Sequence, residues 1–226
     1  MQHVSNKGTA WDCGTGNGQT AQELAKHFHQ VWATDISEQQ IAHAKQAENI
    51  IYSVQPAEHT SFPANTVDLV TISQALHWFR FGEFYDEVKR VGREGGWIVA
   101  WMYSLIRITP RIDELVNEQY YVQTLGEYWD KERRYVDENY SGLPFPFEEI
   151  ETPVFRSEFN WTLEELAGYL NTWSALQKFI DANHFNPVDE LIKKLAPFWK
   201  TKKMKIIFPV HMRMGKIHQK AIDNRQ

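Results

Sequence analysis

The feature that most constrains the fold is a short apolar run at residues 9–12 that closes on Asp12-Cys-Gly-Thr-Gly-Asn-Gly18 and leads into Ala21, Leu24, Ala25 and Phe28. Apolar residues three and four apart share one face of a helix. Alternate glycines at a strand end permit a tight turn, and without Cβ atoms a ligand can approach the main chain. The unit is strand, bend, helix, and it repeats. Val31, Trp32 and Ala33 form a second strand ending at Asp35, and Ser37 caps a helix expected to run through Ile41, Ala44 and Ala47. Strands follow at residues 50–54 and 67–72, then an amphipathic helix carries Phe81, Phe84, Tyr85, Val88 and Val91. Gly95-Gly96 breaks that helix before an unbroken apolar strand at 97–102, the pattern of a strand covered on both faces. Strands alternating with helices predict an α/β fold with a parallel sheet.

That rhythm stops near residue 104. Residues 104–147 are mostly helical in pattern and end in the proline-punctuated Gly142-Leu-Pro-Phe-Pro-Phe147. Residues 154–160 read as a sixth strand. Thr162 with Glu165 signals a capping box before Leu166 and Leu170, Asn186-Pro187 opens a helix through Leu195, and residues 204–213 form the last strand. The expected organisation is a single domain. Residues 1–103 form a cofactor-binding core, 104–150 a helical insertion acting as a substrate lid, and 151–226 complete the sheet.

A net charge of −5 gives no electrostatic case for a phosphate-backbone partner, so nucleic acid is disfavoured and a small-molecule substrate expected. Cys13 is the sole cysteine, which excludes an intramolecular disulfide and fits a reducing cytoplasm. The nine histidines form no metal-ligand motif, and no metal is expected. No apolar stretch is long enough to span a bilayer, no signal peptide is legible, and a monomer or homodimer is expected. Nine Trp, nine Tyr and thirteen Phe point to a core of large side chains, or to an aromatic-walled pocket.

The glycine spacing carries chemistry. A dinucleotide loop reads Gly-x-Gly-x-x-Gly, which here places Gln19 at the third glycine. Asp12 at the strand end would repel a pyrophosphate and attract an ammonium group. S-Adenosylmethionine, with its α-amino group and sulfonium, suits that site better than NAD. Asp35 lies at the right distance downstream for the vicinal hydroxyls of a ribose. Gln55-Pro-Ala-Glu58 and Ser73-Gln-Ala-Leu-His-Trp-Phe79 follow the third and fourth strands, so four strand ends of compatible chemistry fall on one rim.

Together Asp12-Cys-Gly-Thr-Gly-Asn-Gly18, Ala33-Thr-Asp35-Ile-Ser37, Ala57-Glu58, Ser73-Gln-Ala-Leu-His-Trp78 and Gly95-Gly96 resemble the class I S-adenosylmethionine-dependent methyltransferases. Tyr128-Trp-Asp-Lys-Glu-Arg-Arg-Tyr135, Trp161-Thr-Leu-Glu-Glu-Leu166 and Tyr169-Leu-Asn-Thr-Trp173 are similar to the trans-aconitate methyltransferase-like subgroup. The resemblance implies a Rossmann-like fold, its mostly parallel seven-stranded sheet ending in an antiparallel strand, with helices on both faces. It implies that Gly14, Thr15 and Gly16, in the bend that ends at Gly18, line the methionine moiety, with Asp12 facing its amino group. Asp35 and Ile36 would hold the ribose, Ala57 and Glu58 would border the adenine, and Gln74 and His77 would close the pocket near the reacting methyl. Family members carry a covering helical segment before the first strand. Here ten residues precede Trp11, and looser closure over the cofactor is expected.

Methyl transfer from a sulfonium needs alignment in a dry cleft, and a carboxylate acceptor, ionised at neutral pH, needs no general base. The resemblance to the trans-aconitate methyltransferase-like subgroup implies a small carboxylic acid as acceptor, which fits the absence of an obvious acid/base pair. His77 is the candidate base for a hydroxyl or amine acceptor. Trp78, Tyr103 and Arg107 are the further candidates for the substrate pocket, Arg107 because a guanidinium forks onto an acid. The alternatives are O- or C-methylation of a quinone-like or lipid-like acceptor, a NAD-dependent oxidoreductase, and a non-catalytic cofactor-binding protein.

Overall fold

The computed structural model describes residues 3–153 and 155–218. In chain order the first part forms β1 (Thr9–Cys13), α1 (Gln19–Ala25), β2 (Gln30–Asp35), α2 (Glu38–Ala42), β3 (Ile50–Val54), β4 (Val67–Ser73), α3 (Phe81–Val91) and β5 (Gly92–Tyr103). The rest forms α4 (Pro110–Asp113), a wide π-type helix (Glu114–Thr124), α5 (Arg133–Asp137), β6 (Glu148–Ile150), β7 (Phe155–Trp161), α6 (Leu163–Leu170), α7 (Ser174–Asn183), α8 (Val188–Leu195) and β8 (Met204–Lys216). The chain gathers into two units, one of Met1–Met102, Ser141–Pro153 and Met212–Gln226, the other of Tyr103–Tyr140 and Val154–His211.

β1 pairs in parallel with β2 and β4, β2 with β3, and β4 with β5. The strand order is β3-β2-β1-β4-β5-β8-β6, with β7 pairing β8 off this path. β6 and β7 both run antiparallel to β8. The chain winds one way from β1 through β2 to β3 and the other way from β4 to β5. The crevice outside the carboxyl ends of β1 and β4 is thus a topological switch point, where open α/β sheets bind ligands.

In the first unit, Ala10, Val31, Ala33, Leu69 and Val99 pack with Ala21, Leu24 and Phe28 of α1 and the turn after it. Trp11 packs its ring edge-on to Phe62 and Phe84, and its indole N–H donates to Thr34 Oγ1 at 2.8 Å. Burying such a ring contributes roughly 1.5–3 kcal/mol, provided its polar N–H finds a partner. Residues Val67 to Ile72 of β4 are buried without interruption, as a central strand covered on both faces requires.

The second unit has its own core, in which Leu166 and Leu170 of α6, Leu176 and Phe179 of α7 and Leu191 and Leu195 of α8 pack with Leu115 and Val116 of the π-type helix. The capping box at α6 forms as expected. Thr162 Oγ1 accepts from Glu165 N at 3.2 Å, and Glu165 Oε2 accepts from Thr162 N at 2.7 Å. Asn186 Oδ1 likewise accepts from Val188 N at 2.9 Å, at the start of α8.

Several local expectations are corrected. The sheet holds eight strands, not seven, because the three-residue Glu-Glu-Ile of β6 adds an edge too short and too charged to read as a strand. α2 stops at Ala42 rather than reaching Ala47: Gln22 Nε2 and Tyr52 Oη both donate to Lys45 O, giving that carbonyl partners outside a helix. Gly95 and Gly96 lie inside β5, beside a register shift against β4, instead of preceding the strand. α7 was not anticipated, and β8 extends three residues past Arg213. Of the sixth strand expected at 154–160, Val154 lies outside the described residues, and the strand runs Phe155–Trp161.

Candidate cofactor and acceptor sites

The site in the first unit is assembled from the ends of β1, β2 and β4. Gly14, Gly16 and Gly18 all adopt positive φ, at 67°, 56° and 86°. A Cβ on Gly18 would lie 2.2 Å from Tyr52 Oη, and one on Gly14 would lie 2.7 Å from Ala75 Cβ, so protein packing explains both glycines. Gly16 differs. A Cβ there would meet only Gln40 Oε1, at 3.8 Å, leaving open space over the bend where a ligand can approach the main chain.

Asp35 ties this bend to β2. Its Oδ2 accepts from Gly16 N at 2.8 Å and its Oδ1 from Ser37 N at 2.9 Å. A carboxylate offers about four acceptor positions, so two remain open to a ligand. The next side chain, Ile36, is 79% exposed at the strand end, an apolar surface left bare beside a polar anchor.

Asp12 is only 1% exposed. Thr15 Oγ1 donates to its Oδ2 at 2.5 Å and Thr71 Oγ1 to its Oδ1 at 2.9 Å, so it links the bend after β1 to β4. Burial raises its pKa to about 6, against the lowering effect of those two hydroxyls. Thr15 N donates to Thr34 O at 2.9 Å, a second tie between the bend and β2. Sequence reasoning singled out neither Thr71 nor Tyr52, because isolated residues inside strands carry no local signal.

Ala57 is buried after β3, and Glu58 accepts from the Arg80 backbone N–H at 2.9 Å, at the entry to α3. Gln74, directly after β4, sits at φ 56° in the left-handed region that costs a non-glycine residue about 1–3 kcal/mol. Its N–H donates to Trp101 O at 2.9 Å. His77 is buried with its ring 4.8 Å from that of Trp78, whose side chain is exposed. Asp12, Gly14, Thr15, Gly16, Gly18 and Asp35 are thus joined by direct contacts, and the turn carrying Ala75, between Gln74 and His77, packs on Gly14.

Tyr103 and Arg107 belong to the second unit. Tyr103 packs edge-on to Phe208, with ring centres 5.4 Å apart. Arg107 exchanges backbone hydrogen bonds with Ile207 and lines a cavity of about 480 Å³, which Tyr103 does not. Among the described residues no group of three His, Cys, Asp or Glu is arranged to hold a metal ion, and no helix is long and apolar enough to cross a membrane.

The strand order, the switch point and the glycine bend beside an acidic strand end define a Rossmann-like methyltransferase fold. The comparisons agree. Residues 11–100 match the family model described as a methyltransferase domain. A Dictyostelium discoideum protein named as a methyltransferase is 35% identical over 214 residues, covering 92% of this chain and 81% of its own length. A Saccharomyces cerevisiae protein named as an S-adenosylmethionine-dependent methyltransferase is 22% identical over 219 residues, covering 82% and 75%. The solved structure of an Anaeromyxobacter dehalogenans protein described as a type II methyltransferase superposes with a TM-score of 0.88 at 35% identity, covering 97% of this chain and 94% of that one. The chain belongs to the class I S-adenosylmethionine-dependent methyltransferases. Its cofactor is S-adenosylmethionine.

Proposed function

We propose that this methyltransferase acts on a small carboxylic acid, the trans-aconitate-like class that the sequence resemblance suggests. The observation that carries the reading is Arg107. It lines the cavity of the second unit with no carboxylate within ion-pair distance among the described residues. A guanidinium so placed is suited to an acidic ligand.

On the cofactor side, Gly14, Thr15 and Gly16 would receive the methionine moiety, and Asp12 beneath them favours its ammonium. Asp35 takes the ribose hydroxyls, with Ile36 beside it, and Ala57 and Glu58 border the base. When bound, S-adenosylmethionine supplies an electrophilic sulfonium methyl. An acceptor carboxylate is already ionised at neutral pH, so the chain's task is to orient it and exclude water rather than to remove a proton. Gln74 and His77 serve as positioning groups in this reading, and Trp78 contributes an apolar wall.

The test is incubation with methyl-labelled cofactor and a panel of di- and tricarboxylic acids, with hydroxyl-, amine- and quinone-bearing compounds as the comparison. Label recovered as a base-labile methyl ester supports the reading. Label found only in acceptors without a carboxylate overturns it.

A further inference from the structure

The cavity of the second unit holds a second arginine, absent from the sequence-based candidates. Arg133, at the start of α5, has a side chain only 22% exposed. Its Nε donates to Tyr121 Oη at 2.8 Å, and that hydroxyl donates onward to Asp137 Oδ1 at 2.5 Å. Asp137 Oδ1 also lies 3.6 Å from Arg133 Nε. The guanidinium carbon sits 4.8 Å from the centre of the Trp129 ring and 5.4 Å from that of Tyr121. The Trp129 indole N–H donates to Tyr121 O at 3.2 Å, fixing one ring against the other.

This arrangement uses one edge of the guanidinium and leaves the other. Among the described residues neither Nη1 nor Nη2 of Arg133 has a hydrogen-bond or ion-pair partner, although the group is mostly removed from water and lines the cavity with Arg107. Leaving the donors of a half-buried charged group unpaired is costly unless a ligand completes them. The two terminal nitrogens form a planar fork that matches the two oxygens of a carboxylate. The choice of a carboxylate over a phosphate, which a guanidinium fork also matches, follows from the carboxylic acid reading of the acceptor. Asp137, Glu118 and His211 also line the cavity, and burial lowers the pKa of His211.

We propose that Arg133 is the acceptor-specificity residue: its Nη1/Nη2 edge takes one carboxylate of the substrate, while Tyr121 and Asp137 act as positioning residues that hold the fork in place. This rests on the carboxylic acid reading above. It adds that the fork, not the charge alone, selects the acceptor.

The experiment is steady-state methylation of citrate, trans-aconitate and succinate by wild type, Arg133→Lys and Tyr121→Phe, with inorganic phosphate as a competing anion. S-Adenosylhomocysteine affinity is measured by calorimetry in each variant. Arg133→Lys keeps the charge and loses the fork. Its expected effect is an acceptor KM raised tenfold or more, with kcat within about twofold and cofactor affinity unchanged. Tyr121→Phe keeps the arginine and the ring and removes only the tether, for an expected three- to tenfold rise in KM. An unchanged KM in both variants overturns the role of Arg133 while leaving the carboxylic acid reading intact. Inhibition by phosphate at concentrations below the carboxylate KM overturns the choice of anion. A wild-type enzyme that methylates none of the three acids but does methylate neutral acceptors defeats the carboxylic acid reading itself.

Discussion

The Asp35 carboxylate accepts the Gly16 backbone N–H at 2.8 Å, so one side chain at the end of β2 fixes the bend after β1 while keeping lone pairs for a ligand. Asp35→Ala removes both functions. Charge-assisted hydrogen bonds contribute roughly 1.5–3 kcal/mol each, so S-adenosylhomocysteine affinity is expected to fall about 10- to 100-fold, with a lowered thermal midpoint. Calorimetry and a thermal melt read the two effects separately. Unaltered affinity would remove Asp35 from the ribose site.

Gly18 is a stability position. At φ 86°, with Tyr52 Oη 2.2 Å from any added Cβ, Gly18→Ala combines a left-handed backbone with a collision. The expected loss is about 2–4 kcal/mol in denaturant unfolding. Truncating the neighbour in Gly18→Ala/Tyr52→Ala should return part of it relative to the sum of the single changes.

If Asp12 faces the cofactor's ammonium as proposed, cofactor binding depends on pH. Its folded pKa of about 6 is above the unfolded value near 3.8, so the native state binds the extra proton between those values. Its contribution to stability is present below about pH 4 and is lost as pH rises through 6, by roughly 3 kcal/mol in all. A cationic ligand prefers the ionised form, so affinity for S-adenosylmethionine should increase from pH 5 to 7 and then level off. In Asp12→Asn that rise should disappear. A wild-type affinity that is flat across the range would show that Asp12 does not sense the ligand.

Gln74 holds a strained backbone at the end of β4. Gln74→Gly relieves the strain, and a gain of about 0.5–1 kcal/mol in stability is expected together with reduced kcat/KM. A variant that is stabilised and fully active would show that the side chain does nothing for the reaction.

What the sequence revealed divides along physical lines. The strands β1 to β5 and the glycine bend were legible because their signals are local: apolar runs, glycines at fixed offsets and acidic residues at strand ends. The capping box of α6 was legible for the same reason, since Thr162 and Glu165 are three residues apart. Arg133, Tyr121 and His211 were not, because the cavity that joins them is built from segments that lie apart in sequence and carry no spacing rule. β6 was missed because pairing with β8, not its own composition, makes it a strand. Thr71 is visible as a partner of Asp12 only once β1 and β4 are known to be neighbours.

The most direct test is a calorimetric titration of S-adenosylhomocysteine into wild type and Gly16→Ala. Added volume at Gly16 meets open space rather than protein, so the variant should fold, at a cost of about 1 kcal/mol for its positive φ. If the bend receives the cofactor, wild type binds one equivalent and Gly16→Ala loses at least tenfold in affinity. Equal affinities in the two proteins would place the nucleoside elsewhere.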